Sequence, residues 1–182
     1  MEEPVALEIG ARNLPLIQEL KDLPPNSKIL FADKEDSWFG YLAGGMKWID
    51  NKTQILQGDA TKLPLPPNSV ELVFLKDVFG HEGSREVKSG IGFTDRLVET
   101  GGADKIAREL FRVIRKGGKV IVMETNTPYD SEKLKAAFSE SGFSNVKMHP
   151  KDQINKIFAD PGYAGAMTRF ADPKSYAMEV IK

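Results

Sequence analysis

Residues 55–81, "ILQGDATKLPLPPNSVELVFLKDVFGH", decide the fold of this 182-residue chain. The stretch begins inside one apolar run, passes through a polar turn that contains prolines, and enters a second apolar run, "VELVFLKDV". Short runs that are almost continuously apolar are typical of strands covered on both faces. Each run ends near an acid, Asp59 in the first and Asp77 in the second. We therefore predict two strands of a buried parallel sheet, each with a carboxylate near its end.

The same pattern extends over the rest of the sequence. Three more strands are predicted from "VALEIG", "KILFAD" and "KVIVMET", and segments with helical spacing of apolar residues lie between the strands. Such alternation is typical of a parallel sheet wrapped by helices. The last two runs, "NVKMHP" and "SYAMEVIK", have no helix-length pattern between them and predict an antiparallel pair at one edge. We therefore expect a single α/β domain over residues 1–182, with a doubly wound, mostly parallel seven-stranded sheet, an antiparallel C-terminal strand and helices on both faces.

Four helices are predicted between these strands. Their apolar stripes run over residues 16–23, 38–49, 106–114 and 134–138. Asp36 and Ser37 are candidate caps for the second helix, and Ser131 is the candidate cap for the fourth. The third helix is expected to end at Gly117 and Gly118, which would form a helix C-cap and a turn. We interpret the stripes as surfaces that face the core, not as cofactor contacts.

The composition argues against several classes of function. The 25 lysines and arginines nearly balance the 26 acids, so the net charge gives no support to nucleic acid or an anionic membrane as a partner. The absence of cysteine rules out disulfides, thiolate nucleophiles and cysteine-ligated metals, and a content of 2 histidines argues against an imidazole metal site. The sequence has no signal-peptide pattern and no apolar run near the ~20 residues that span a bilayer. We expect a soluble, cytoplasmic protein without a metal site.

Polar residues and a glycine stand where the first four predicted strands end. In a doubly wound sheet, ligands bind outside the carboxyl ends of the strands, at the point where the strand order reverses. The residues at these ends are therefore candidates for a binding site. They are Glu8 and Gly10 after the first strand, Asp33 after the second, Asp59 after the third, and Lys76 with Asp77 after the fourth.

With "ILQGDATKLPLPPNSVELVFLKDVFGH" followed by "ARELFRVIRKGGKVIVME", the chain resembles the class I S-adenosylmethionine-dependent methyltransferases over nearly its full length. That family typically has a glycine-aspartate-alanine, a leucine-proline, a polar turn and an apolar strand. Later it has an arginine-valine-leucine stretch that ends in two glycines and another apolar strand. The resemblance implies a Rossmann-like methyltransferase fold, S-adenosyl-L-methionine as the cofactor, and methyl transfer as the activity.

The resemblance also implies roles for residues at the strand ends. Asp33, in "FADKED", matches the acid that accepts hydrogen bonds from the ribose hydroxyls, which suits a carboxylate because it only accepts. Alternatively, Asp33 is a solvated loop acid or a helix cap, and Glu35 takes its place. Asp59 matches the acid that receives the adenine amino group, with the Ala60 backbone beside it. The alternative for Asp59 is that it simply closes a turn.

Lys76 and Asp77 fall where the family lines the cofactor and the mouth of the substrate pocket. Because a lysine is unusual at this position, no specific role is assigned to Lys76. Methyl transfer from a sulfonium is an in-line displacement that depends mainly on orientation, and a base is needed only when the acceptor must lose a proton. His81, in "VFGHEG", is the best-placed candidate base, while Asp77 and Glu82 are weaker candidates. Alternatively, His81 is a loop histidine that hydrogen-bonds to backbone.

The turn after the first strand departs from the family. In "EIGARNL", Glu8 and Gly10 match the family's acid and first glycine, whereas Arg12 and Leu14 occupy positions that are usually glycine. The Arg12 side chain either fills space that the cofactor needs or pairs with the carboxylate of its methionine moiety. In the second case, Asn13 can adopt the left-handed conformation that the bend requires.

Three functions remain open from the sequence. The first is an S-adenosylmethionine-dependent methyltransferase that acts on a small molecule or a protein. The second is a catalytically inactive, methyltransferase-like binding or regulatory subunit, which the missing glycines favour. The third, a nicotinamide-dependent oxidoreductase, ranks last because "GARNLP" offers one glycine where that class needs three.

The sequence also raises the question of what covers the site. Because it begins at the first strand, we expect it to lack the N-terminal helices that many relatives fold over the cofactor. The site is then open, or it is covered by residues 80–102, by residues 151–175, or by a partner chain. Uncovered sheet edges and these long loops also leave room for a homodimer.

Overall fold

The structure is a computed structural model that describes residues 3–10, 16–33, 53–79, 102–125, 130–160 and 174–182. Within these ranges the chain forms one sheet of seven strands. The strands are β1 (Val5–Ile9), β2 (Lys28–Asp33), β3 (Thr53–Gln57), β4 (Val70–Lys76), β5 (Ile114–Glu124), β6 (Ser144–Pro150) and β7 (Tyr176–Ile181). The helix predicted over residues 38–49, with its caps Asp36 and Ser37, is not among the described residues.

The strand order is β3-β2-β1-β4-β5-β7-β6. Strands β1 to β5 pair in parallel, β7 pairs antiparallel with β5, and β6 pairs antiparallel with β7. The order runs in opposite directions on either side of the β1/β4 pair, which is the switch point of a doubly wound sheet. The fold class and the antiparallel C-terminal pair are thus confirmed.

Apolar side chains cover both faces of the sheet because successive residues of a strand point to opposite sides. In β4, Val73 and Leu75 belong to one core cluster, while Leu72 and Phe74 belong to the other. The first cluster is completed by two α-helices, α1 (Gly102–Val113) and α2 (Ser131–Glu140). The second is completed by two 3-10 helices, η1 (Ile17–Glu19) and η2 (Lys151–Ile157). No helix of the described part is both long and apolar enough to cross a membrane.

Helix α1 ends earlier than predicted. It stops at Val113, and Ile114 already pairs with Val70 as the first residue of β5. The register between β4 and β5 then shifts, so Gly117, at φ 78°, and Gly118 lie inside an irregular part of the strand and do not cap a helix. A Cβ on Gly118 would lie 2.9 Å from the Glu71 carbonyl oxygen, so this glycine permits the close approach of the two strands.

Two other helix predictions also differ from the structure. The cap of α2 is Asp130, whose Oδ1 accepts from the amides of Glu132 and Lys133, and not Ser131, which is the first helical residue. Residues 16–23 form only the short η1, since their backbone instead bonds to the end of η2 and to the residues directly after it. Lys21 N donates to Ile157 O at 3.1 Å, and a bridge joins Leu20 to Phe158.

Candidate functional site

The structure brings the strand-end residues to one edge of the sheet. Ile9 at the end of β1 pairs with Ala32 of β2 on one side and with Leu75 of β4 on the other. Asp33 closes β2 opposite Gln57 of β3. Since β1 to β4 are parallel and adjacent, their carboxyl ends share an edge, and this edge contains the switch point.

Glu8 lies in the interior at this edge, with 0% of its surface exposed. Both carboxylate oxygens accept from the Leu16 amide at 3.0 Å, and Oε2 also accepts from the Ile17 amide at 2.9 Å. Burial raises the pKa of Glu8 to about 7, although the bonds from Ile17 and Leu16 and the nearby charge of Lys76 act in the opposite direction. Glu8 therefore ties the end of β1 to the backbone of Leu16 and Ile17.

Gly10 follows Glu8 and packs tightly against β4. Its φ is 76°, and its amide donates to the Ala32 carbonyl at 3.1 Å. A Cβ at this position would lie 2.9 Å from Val78 Cγ2 and 3.2 Å from the Lys76 carbonyl oxygen. Both the left-handed conformation and the lack of space require glycine here. Gly10 therefore lets the chain turn directly after β1 while it lies close to the end of β4.

Lys76 and Asp77 form a polar link between β4 and β5. Lys76 Nζ donates to Asp77 Oδ2 at 2.7 Å, and Thr125 donates to Asp77 Oδ1 through its amide at 2.6 Å. The Thr125 hydroxyl contacts Oδ1 at 3.0 Å and Oδ2 at 2.9 Å. Asp77 itself has a φ of 51°. Its carboxylate thus joins the ends of the two strands. This contact could not be predicted from the sequence, because 48 residues separate the partners.

Asp59 closes a tight turn directly after β3. Its Oδ1 accepts from the Thr61 amide at 2.8 Å and from the Thr61 hydroxyl at 2.7 Å. Its carbonyl accepts from the Lys62 amide at 2.8 Å, and Ala60, inside the turn, is buried. The turn that sequence reasoning gave as the alternative for Asp59 is therefore present, and it orders the backbone of Ala60.

An ion pair on α1 contacts the same loop and was not identified as functional from the sequence. Glu109 Oε1 accepts from the Leu63 amide at 2.7 Å. Arg112 donates to the carbonyls of Leu65 at 2.8 Å and Leu63 at 3.1 Å. The available signal was an acid and an arginine three positions apart on a predicted helix, in "ARELFRVIRKGG".

Several predicted site residues lie in parts of the chain that the structure leaves undescribed. These are Arg12, Asn13 and Leu14, which follow β1 in the sequence, Glu35, and the candidate bases His81 and Glu82. Only the backbone of Asp33 is described, as the last residue of β2. The candidate lids of residues 80–102 and 151–175 fall largely in undescribed parts of the chain, although residues 151–160 form η2 and its C-terminal extension.

Comparison with known proteins begins with the sequence. Residues 42–122 match a family model described as a methyltransferase domain. The matched part includes β3, β4, α1 and most of β5, and hence Asp59, Lys76 and Asp77. A search of curated proteins finds no match.

Solved structures share the fold over the whole chain at low sequence identity. One is phosphoethanolamine N-methyltransferase 2 of Haemonchus contortus, solved with phosphomonomethylethanolamine and S-adenosylhomocysteine. Its TM-score is 0.64 and its identity 14%, over 100% of this chain and 49% of that chain. The present chain therefore spans about half the length of that enzyme.

Two further neighbours are closer to this chain in length. A methyltransferase dependent on S-adenosylmethionine from Aquifex aeolicus has a TM-score of 0.63 and 15% identity, over 99% of this chain and 83% of that chain. A protein solved in complex with the Haloferax volcanii Trm112 methyltransferase activator has a TM-score of 0.65 and 11% identity, over 100% of this chain and 83% of that chain. Residues 42–122 thus match a methyltransferase domain, and the chain shares its fold with these solved structures.

Proposed function

We propose that this protein binds S-adenosyl-L-methionine at the carboxyl edge of β1 to β4 and transfers its methyl group to a small-molecule or protein acceptor. The observation that carries the proposal is Gly10. This glycine turns the chain at the β1/β4 switch point with no room for a side chain, in a chain that matches the methyltransferase-domain model. When bound, the cofactor supplies a methyl group activated by its sulfonium.

The residues at this edge suit the two halves of the cofactor. Asp33 can accept hydrogen bonds from both ribose hydroxyls, because a carboxylate presents several acceptor sites. The closed turn at Asp59 supports contacts to adenine, since the turn holds the Asp59 and Ala60 backbone in a fixed conformation. Glu8 supports the methionine side by holding the backbone of Leu16 and Ile17 next to the end of β1.

We infer that Asp77 positions other groups and does not act as a base. Its carboxylate accepts from Lys76 Nζ and from both donors of Thr125, so these contacts already engage it in joining β4 to β5. Lys76 is thereby held near the mouth of the proposed site. His81 remains our candidate for a general base with acceptors that must lose a proton.

A second candidate function is a methyltransferase-like subunit that binds or regulates without catalysis. Arg12 and Leu14, in place of two glycines, favour it, because side chains there compete with the cofactor for space. The Haloferax neighbour was solved with an activator protein, which supports a partner chain as one way to complete such a site. A homodimer is the other way. A cytoplasmic location, inferred from the absence of cysteine, is part of both proposals.

Calorimetric titration with S-adenosylmethionine and S-adenosylhomocysteine tests the proposal. We expect micromolar binding by the unmodified protein and a dissociation constant about 10-fold or more higher for Asp33→Asn, since hydrogen bonds to a charged group contribute about 1.5–3 kcal/mol. Asp104→Asn, in the first turn of α1, is the matched control and should bind like the unmodified protein.

A failure to bind S-adenosylmethionine and S-adenosylhomocysteine contradicts the proposal under two conditions. The protein must be folded, as shown by circular dichroism, and free of copurified ligand. If it then binds neither compound, the methyltransferase proposal is wrong and the binding or regulatory subunit is favoured. If Asp33→Asn and Asp104→Asn raise the dissociation constant equally, Asp33 does not bind the cofactor.

A further inference from the structure

The loop of residues 58–69 connects β3 to β4. It lies at the edge of the sheet where the cofactor is proposed to bind, and it is hydrogen-bonded to α1. Its far end is fixed by backbone bonds, because Asn68 N donates to Arg112 O at 3.0 Å and Ser69 N donates to Val113 O at 2.8 Å. Its middle is fixed by side chains of the same helix, Glu109 and Arg112. The near end of this loop carries Asp59 and Ala60.

The two side chains bind three backbone groups of the loop between them. Glu109 accepts the Leu63 amide, and Arg112 donates to the Leu63 and Leu65 carbonyls. They also bind each other in a two-pronged arrangement, with Nε to Oε2 at 2.8 Å and Nη2 to Oε1 at 2.6 Å. The Arg112 hydrogen bond, which outweighs the effect of burial, lowers the pKa of Glu109 and keeps it ionised. Paired, planar donors of this kind fix orientation as well as distance.

The part of the loop that α1 binds, residues 63–65, also packs next to the Asp59 turn. Pro64 lies between Leu63 and Leu65 and packs against the start of the loop, since a Cβ on Gly58 would lie 3.2 Å from Pro64 Cδ. The turn itself is closed by the Asp59 bonds to Thr61 and Lys62. The segment 63–65 thus lies against Gly58, the residue that directly precedes Asp59.

We propose that Glu109 and Arg112 are positioning residues for the cofactor, which hold the Asp59–Ala60 turn at the distance from which it recognises adenine. The inference rests on the proposed S-adenosylmethionine site. Neither side chain needs to touch the ligand. Their role is to fix the loop backbone, because a displacement of about 1 Å in a binding group is enough to change binding and rate strongly.

Arg112→Lys tests this role because it keeps the charge and removes the planar fork. The matched control is Arg115→Lys, which makes the same change in the more exposed pair of Arg115 and Glu71. Each variant is titrated with S-adenosylhomocysteine and with S-inosylhomocysteine, which lacks the adenine amino group. Amide hydrogen exchange at Leu63 reports directly on the loop.

We expect Arg112→Lys to raise the dissociation constant for S-adenosylhomocysteine about 10-fold and to raise that for S-inosylhomocysteine much less. The preference for adenine should therefore decrease, whereas a merely structural role would weaken both ligands equally. Exchange at Leu63 should become faster in Arg112→Lys and remain unchanged in Arg115→Lys. If Arg112→Lys does not fold, Glu109→Gln is tested in the same way.

The outcomes separate this inference from the proposed function. Unchanged binding, or equal weakening of the two ligands, in a folded variant of an otherwise binding protein overturns the positioning role and leaves the proposed function intact. No binding of S-adenosylhomocysteine by the folded, unmodified protein overturns the proposed function itself, and the positioning role with it.

Discussion

Glu8 combines complete burial with acceptance of the Leu16 and Ile17 amides, and its pKa of about 7 makes it a source of pH dependence. Between its ordinary value of 4.5 and about 7, the folded protein binds more protons at Glu8 than the unfolded chain does. The free energy of unfolding therefore falls as the pH rises through this window. At about 1.4 kcal/mol per pH unit, the contribution of Glu8 amounts to about 3 kcal/mol.

We expect Glu8→Gln to remove this part of the pH dependence. The variant will be less stable overall, because at either oxygen position the glutamine NH2 group faces the Leu16 amide donor. The informative quantity is therefore the slope of the free energy of unfolding against pH. Urea unfolding at pH 5 and pH 8 measures it, and Glu132→Gln, at an exposed acid, is the control. If the free energy of unfolding falls by the same amount from pH 5 to pH 8 in Glu8→Gln and in the unmodified protein, Glu8 is not the source of this pH dependence.

Three strands at the β6 side of the sheet are held together by a partly buried ionic network. Glu179 of β7 accepts from Lys119 Nζ of β5 at 3.0 Å, and its Oε1 lies 2.5 Å from His149 Nε2 of β6. Lys119 also donates to Asp22 Oδ2, beyond η1, at 2.7 Å. Burial alone would raise the pKa of Glu179, but the hydrogen bonds of Lys119 and His149 outweigh it and lower the pKa. The network therefore stabilises the antiparallel pair while Glu179 is ionised.

Replacement of Glu179 by glutamine should lower the free energy of unfolding by about 2–3 kcal/mol at pH 7, because a buried charged partner is lost. Since the folded pKa of Glu179 lies below its ordinary value of 4.5, its stabilisation is complete above that value and is lost as the pH falls through the folded pKa. The difference between variant and unmodified protein should thus narrow in acid, as measured by urea unfolding at pH 7 and pH 4. Glu71→Gln, in the more exposed pair with Arg115, should lower the free energy of unfolding by about 1 kcal/mol or less. A difference that stays constant with pH would show that Glu179 acts only through packing.

At the scale of the whole molecule, the strands could be predicted from the sequence, whereas contacts between residues far apart in the sequence could not. The strands could be predicted because a sheet covered on both faces needs apolar residues at nearly every position, as in Leu72 to Leu75. The apolar stripe over residues 16–23 predicted a helix, but the same spacing also suits other segments that pack on one face. In the structure, this segment forms a β-bridge from Leu20 to Phe158 and no α-helix. At the site, residue types at the strand ends were predictable. The bonds of Asp77 to Thr125 and of Arg112 to Leu65 were not, because they join positions 48 and 47 residues apart.

The single domain expected for residues 1–182 and the proposed cofactor site can be tested together by thermal unfolding. A sheet that pairs β1 near the start of the chain with β4, and β5 with β7 near its end, should unfold in one cooperative transition. A ligand that binds only the folded state stabilises it by about 2.7 kcal/mol at 100 times its dissociation constant. For a domain of this size, that corresponds to an increase in Tm of about 5–10 °C. We expect S-adenosylhomocysteine to shift the whole transition, with a smaller shift for Asp33→Asn at the same concentration. Two separate transitions, of which the ligand moves one, would contradict the single domain, and a single unshifted transition would favour the subunit that does not bind the cofactor.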